Sequence, residues 1–322
     1  MTPLRFEAEH GRLWNDFSAQ LFQASKGEPV DGGQLLARYR RVCEHLALAQ
    51  SRAYPVHLTA RLEALAQEAH QLIYRRQDYG LAQLWRLLRF DLPRGVRAQG
   101  RLVLIALLLF VVPALLAYVL TLHSPDFALR VTSAGQVRNF ENMYADGNGA
   151  IGRLRDAGGD WQMFGFYIFN NIGIGFQTFG AGILAGVGSV FTLAYNGLLL
   201  GVVAGHLDRV GLGHNFWPFV CTHAAFELTG IVLSGAAGLR LGLGWLAPGR
   251  KTRLASLRFA AGEAMPLVYA AFFLLLVAAA FEAFWSSAAW IAPAVKFGVA
   301  AVCWTLVIAW LGLMGRGTRD AR

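Results

Sequence analysis

The sequence predicts an all-α, polytopic membrane protein with about six transmembrane helices and an N-terminal helical bundle. Three observations carry that expectation. Hydrophobic residues make up 55% of the 322 residues and charged residues only 15%, where a soluble domain carries about 25% charge. The mean hydropathy is +0.41. From Gln162 onward no charge appears until His206 and Asp208. At about 1.5 Å per residue that run is too long for one crossing of a roughly 30 Å hydrocarbon core.

Residues 1–98 read as a cytoplasmic helical bundle with an interfacial helix. The first residues, MTPLRFEAEHGRLW, lack the basic and apolar regions of a cleavable signal, so targeting falls to the first internal span. Leu35, Leu36, Tyr39, Val42, Leu46 and Ala49 recur at helical spacing after Asp31, a predicted N-cap. Leu58, Leu62, Leu65, Ala69, Leu72 and Ile73 repeat the pattern after Pro55. From Gly80, a helix with Leu81, Leu84, Trp85 and Leu88 on one side suits either the membrane interface or the surface of the bundle.

Residues 99–315 read as a six-helix transmembrane domain. Its spans are 102–122, two within 162–207 joined by a tight turn around Gly180 to Gly188, then 216–239, 264–285 and 291–314. A basic tail, 316–322, follows. Arg97 and Arg101, the cluster Arg240, Arg250, Lys251, Arg253 and Arg258, and the tail residues Arg316, Arg319 and Arg322 fall on one side of an even-numbered bundle. By the positive-inside rule that side, with both termini, is cytoplasmic. The segment 123–160 is then extracytoplasmic, and it is too short for a substantial independent domain.

The net charge of +9 comes from 26 Arg against three Lys. These arginines flank apolar spans and serve orientation and lipid headgroups, and no nucleic-acid recognition pattern accompanies them. Cys43, Cys221 and Cys303 show no metal or redox spacing.

Two kinds of residue single out the middle spans. Small residues recur at close to helical spacing: Gly182 and Gly186; Gly197, Gly201 and Gly205; Gly230, Ser234 and Gly238. Such stripes let helix backbones approach closely in lipid, within one chain or between copies, with a dimer favoured. Spans two to four are expected to form the tight centre. Polar residues gather in the same spans, with Asn170 and Asn171 in span two, Asn196 in span three and His223 and Glu227 in span four. The asparagines read as interhelical hydrogen bonders, because neutral amides tie helices together without further chemistry.

His223 and Glu227 differ because both ionise. A glutamate inside the hydrocarbon costs about 2.5 to 3.5 kcal/mol on insertion scales. One turn apart on the face that continues through Gly230, Ser234 and Gly238, the pair can share a proton, relay one or offer two metal ligands. Glu263, Asn196 and His206 are the available types for a third ligand, which makes His223, Glu227 and Glu263 the candidate metal set. No resident cofactor is expected otherwise. HxxxE is not the HExxH of a zincin, and the GxGxxA match at Gly242, Gly244 and Ala247 follows a membrane helix where a dinucleotide fold needs a strand. No catalytic set is recognisable.

From span two onward the sequence resembles the stage II sporulation protein M family. The likeness rests on NG at Asn196 and Gly197, HAAFELTGIVLSGAAGLRLG from His223 to Gly242, PGR at Pro248 to Arg250, and FEAF around Glu282. Trp14, YRRVCEHLALAQ from Tyr39 and the helix around Trp85 look like the cytoplasmic extension of its longer members. The resemblance implies a bacterial inner-membrane protein that anchors or scaffolds peptidoglycan-degrading or other envelope partners. Two readings therefore stand: a non-enzymatic scaffold with protein partners, or a transporter or channel that uses His223 and Glu227 for a proton, metal ion or small solute.

Overall fold

The computed structural model describes residues 1–26, 30–73, 80–124, 126–145, 157–288 and 290–316. Of the basic tail only Arg316 falls among them, and residues 146–156 of the segment 123–160 lie outside. The chain forms two compact units, Met1–Gly80 and Leu81–Arg322.

The first unit holds α1 (Pro3–Ser25), α2 (Gly32–Ser51) and α3 (Val56–Ile73). Asp31 caps α2 as expected, its Oδ1 accepting from the backbone N–H groups of Gly33 at 2.8 Å and Gln34 at 3.3 Å. Phe6, Trp14, Phe17 and Leu21 of α1 close a core with Leu35, Val42 and Ala49 of α2 and Leu58, Leu62, Leu65 and Ala69 of α3. Trp14 needs a polar partner for its buried indole, and Nε1 donates to His45 Nδ1 at 3.0 Å. The His45 ring stacks on His10 at 4.2 Å.

The second unit begins with α4 (Leu81–Arg86), a π-helical turn at Leu87–Asp91 and α5 (Leu92–Ala98). Leu81, Leu84 and Trp85 are exposed, while Leu92 and Val96 enter the core of this unit. Residues 81–98 therefore pack with the helices that follow them. Arg97 donates to the carbonyl of Leu311 at 2.6 Å, and Trp310 Nε1 donates to the carbonyl of Leu88 at 2.7 Å.

There follow α6 (Gly100–His123), the short α7 (Phe127–Val131) and α8 (Ala134–Tyr144), then α9 (Ala157–Gly180), α10 (Val187–Arg209), α11 (Gly213–Leu246), α12 (Arg253–Ala280) and α13 (Pro293–Leu313). Among the described residues, five helices are long and apolar enough to cross a membrane: α6, α10, α11, α13 and α12 with its extension to Ser286. The sixth predicted span, α9, is 24 residues long, but Gln162, Asn170, Asn171 and Gln177 lower its hydropathy below that of the others.

Helix α11 is the centre of this unit. Of its most apolar stretch 67% is buried, against 17% for α6 and 22% for α13, and it touches α6, α9, α10, α12 and α13. The tight turn between spans two and three falls at Ala181–Gly186, where Gly186 adopts a left-handed φ of 81° that glycine tolerates. The hairpin straddles α11 through glycine. A methyl at Gly182 would overlap the backbone of Gly238, and one at Gly242 would overlap that of Gly186.

The remaining stripe has a different partner from the one expected. Methyl groups at Gly197, Gly201 and Gly205 would press into the carbonyl oxygens of Phe110, Ala114 and Tyr118, all on α6. The stripe is filled within the chain, by span one, because the pairings of α6 with α10 and of α11 with α12 are the most extensive in the bundle. The tight centre is thus wider than spans two to four.

Candidate functional site

His223 and Glu227 lie on successive turns of α11, with His223 Nε2 3.8 Å from Glu227 Oε2. They face α12 and its extension. After Ala280 that helix widens into a π turn, Phe281–Ser286, which projects Glu282 and Ser286 towards α11. Ser286 Oγ lies 2.9 Å from His223 Nδ1, and the Phe226 and Phe281 rings stack at 5.1 Å beside them. One ligand atom from each of His223, Glu227 and Glu282 lies within 4.8 Å of the other two.

Two further helices hold this cluster. From α9, Asn171 Nδ2 donates to Glu282 Oε2 at 3.2 Å, and Asn170 Nδ2 donates to Asn171 Oδ1 at 3.0 Å. Asn171 is buried, and its amide bridges helices as expected of an asparagine in lipid. From α13, the buried Lys296 donates through Nζ to the carbonyl of Ser286 at 2.7 Å, while Thr222 Oγ1 donates to the carbonyl of Lys296 at 3.3 Å.

Helix α8 covers the same end of the bundle. Tyr144 packs edge-on against Phe216 and Phe219, and Phe219 in turn packs edge-on against His223 at 5.3 Å. Asn215 Nδ2 donates to the carbonyl of Tyr144 at 2.9 Å, and Glu141 lies 2.7 Å from His206 of α10. Burial pushes the Tyr144 hydroxyl well above the usual tyrosine range, and the carboxylates of Glu282 and Glu227 add to that shift. Asp208 anchors the neighbouring turn, accepting from Tyr118 Oη and Trp217 Nε1, both at 2.8 Å.

The other predicted site residues lie elsewhere. Glu263 sits at the start of the buried part of α12 and is held by Arg240, whose Nε donates at 2.9 Å. It is 19 residues from Glu282 in sequence, or about 28 Å along a helix, and does not join the pair. Asn196 Nδ2 donates to the carbonyl of Thr192 within α10 at 2.7 Å. His206 is taken by Glu141. Gly230 receives Leu275 of α12, Ser234 lies beside Gly175 of α9, and Gly238 meets Ser189, Thr178 and Phe179.

Glu282 is the acidic group that reading the sequence did not connect to the pair. The connecting signal is the antiparallel course of spans four and five. The last residues of span five lie level with the first half of span four, and its first residues with Arg240.

A family model described as stage II sporulation protein M matches residues 106–287, more than half of the chain and the whole of this cluster. A second, described as a domain of unknown function (DUF8413), matches residues 4–75, nearly all of the first unit. No curated protein and no solved structure gives a significant match.

Proposed function

The chain belongs to the stage II sporulation protein M family, and from that premise we propose that it is a non-enzymatic scaffold or anchor of the bacterial cytoplasmic membrane for envelope or peptidoglycan-remodelling partners. The observation that carries this reading is the division of labour in the chain. A three-helix unit with a complete core of its own precedes a bundle of apolar helices suited to lipid. The bundle fixes the protein in the bilayer, and the N-terminal unit recruits a cytoplasmic partner. The basic groups at Arg97 and Arg101, at Arg240 to Arg258 and at Arg316 support cytoplasmic termini.

Self-association, with a dimer favoured, belongs to the same proposal, but its surface differs from the glycine stripes of α10 and α11, which neighbouring helices of the same chain fill. Gly165 and Gly173 on α9 have open space above them and admit a second backbone there. The test is crosslinking in intact membranes followed by purification. Deleting residues 1–80 is expected to remove the soluble partner and to leave the bundle inserted. Recovery of the same partners without that unit would refute the recruiting role.

A second reading is favoured by the His223, Glu227 and Glu282 cluster: a transporter or channel for a proton, metal ion or small solute. Reconstituted protein would then show pH-dependent flux that Glu227→Gln abolishes. Flux equal to that of empty liposomes would eliminate it.

A further inference from the structure

We propose that His223, Glu227 and Glu282 form a site for one divalent transition-metal ion, such as zinc or manganese, that ties α11 to the π turn after α12. This goes beyond anchoring and stands whether or not the bundle conducts a solute. The donor set is one imidazole nitrogen and two carboxylates, a combination that suits such ions. The three ligand atoms already lie within 4.8 Å of one another. Zinc bonds of about 2.0 to 2.2 Å bring ligands to roughly 3.4 Å apart, so side-chain rotations of an ångström or so complete the approach.

The groups around the donors are arranged as they are around metal ligands. His223 is 3% exposed. Its Nδ1 is engaged by Ser286 Oγ, which leaves Nε2 turned towards the carboxylates, 3.8 Å from Glu227. That separation exceeds a hydrogen bond, so Nε2 of this buried residue turns towards the carboxylates and makes only the longer ion-pair contact with Glu227 among the described residues. Asn171 orients Glu282 by donating to Oε2. Outer hydrogen bonds of this kind fix ligand rotamers, and losing one costs about 10- to 100-fold in metal affinity.

Charge points the same way. Two carboxylates brought together inside a membrane bundle require a shared proton or a cation. Lys296, buried beside the π turn, donates to the Ser286 carbonyl. An ion at the three donors would meet that requirement.

The test uses the purified full chain in detergent, stripped with a chelator and titrated calorimetrically with zinc chloride and with manganese chloride. One ion per chain is expected, raising the thermal midpoint. Glu282→Gln and His223→Gln should each weaken binding at least tenfold and remove the metal-dependent shift, while Asn171→Ala should weaken it about tenfold. The chelated midpoint of Glu282→Gln, which keeps shape and hydrogen bonding, shows whether that variant is folded. Absence of saturable binding by the wild-type chain would mean that a proton alone balances the carboxylates, and would overturn the proposal. So would binding that survives both cluster variants, or that is lost in His45→Gln, which would place the ion at the His10 and His45 stack.

Discussion

The two ends of the α11–α12 pair solve the same problem differently. At one end Glu263 meets Arg240, and the ion pair is complete within the protein. At the other, Glu227 and Glu282 meet a histidine and an amide, and Lys296 of α13 donates to the backbone carbonyl of Ser286. The helices are the same and so is the acidic residue type. What differs is the partner that the helices supply, a guanidinium at one end and an imidazole with an amide at the other.

The largest way to break this comparison is to let the helices slip. Gly238→Leu would drive a side chain into the carbonyls of Thr178 and Phe179 and the Ser189 hydroxyl. Overpacking at a backbone crossing costs about 3 kcal/mol or more, and the yield of monodisperse protein in detergent should collapse. Next in size, Arg240→Ala strands Glu263. The pair is partly exposed, with side chains 18% and 38% accessible, so the loss should fall near 2 kcal/mol, between the values for exposed and buried pairs. It would be read as a lowered thermal midpoint. Exchanging the two residues, Arg240→Glu with Glu263→Arg, should restore most of it.

Glu282→Gln sharpens the contrast because its sign is opposite. In chelated protein it removes repulsion between carboxylates while its amide oxygen still accepts from Asn171, so the midpoint should hold or rise by an amount worth up to about 1 kcal/mol. A fall as large as that of Arg240→Ala would show that Glu282 is already neutralised by its neighbours.

The smallest effect lies in the first unit, where a half-buried histidine offers a third case. Burial and the neighbouring His10 lower the affinity of His45 for a proton, with Arg41 adding to this and Glu44 opposing it. The unfolded chain keeps the ordinary value near 6.5 and therefore binds the proton that the fold resists. Stability of this unit is full above that pH and falls as the pH drops below it. With Cys221 and Cys303 replaced, labelling of Cys43, taken relative to a free model thiol at the same pH, should accelerate between pH 7.5 and 5.5, and His45→Gln should flatten the dependence.

Depth was legible in the sequence, and neighbourhood was not. Apolar run lengths placed the helices, the Gly180 to Gly188 turn and the Asp31 cap, because each depends on residues close in the chain. The likeness carried by Asn196, Gly197 and the stretch from His223 placed the family. The His223 and Glu227 pair was visible as well, since i and i+4 share a helix face. Which helix faces that pair depends on rotation and packing order, to which hydropathy is blind. Hence Glu263 stood where Glu282 belongs, and Gly197, Gly201 and Gly205 were read without their partner, α6. Ser286 and Lys296 gave no signal, because a serine beyond a span and a lysine at a helix start have ordinary solvated explanations.

The amides of α9 bear on how this protein is made. A helix with Asn170, Asn171 and two glutamines gains little from lipid alone, and the group that satisfies Asn171 lies 111 residues further along the chain. In a chain made from its N-terminus, the bond between Asn171 and Glu282 forms only after the end of α12 has been synthesised, so this contact of α9 belongs to the late part of folding.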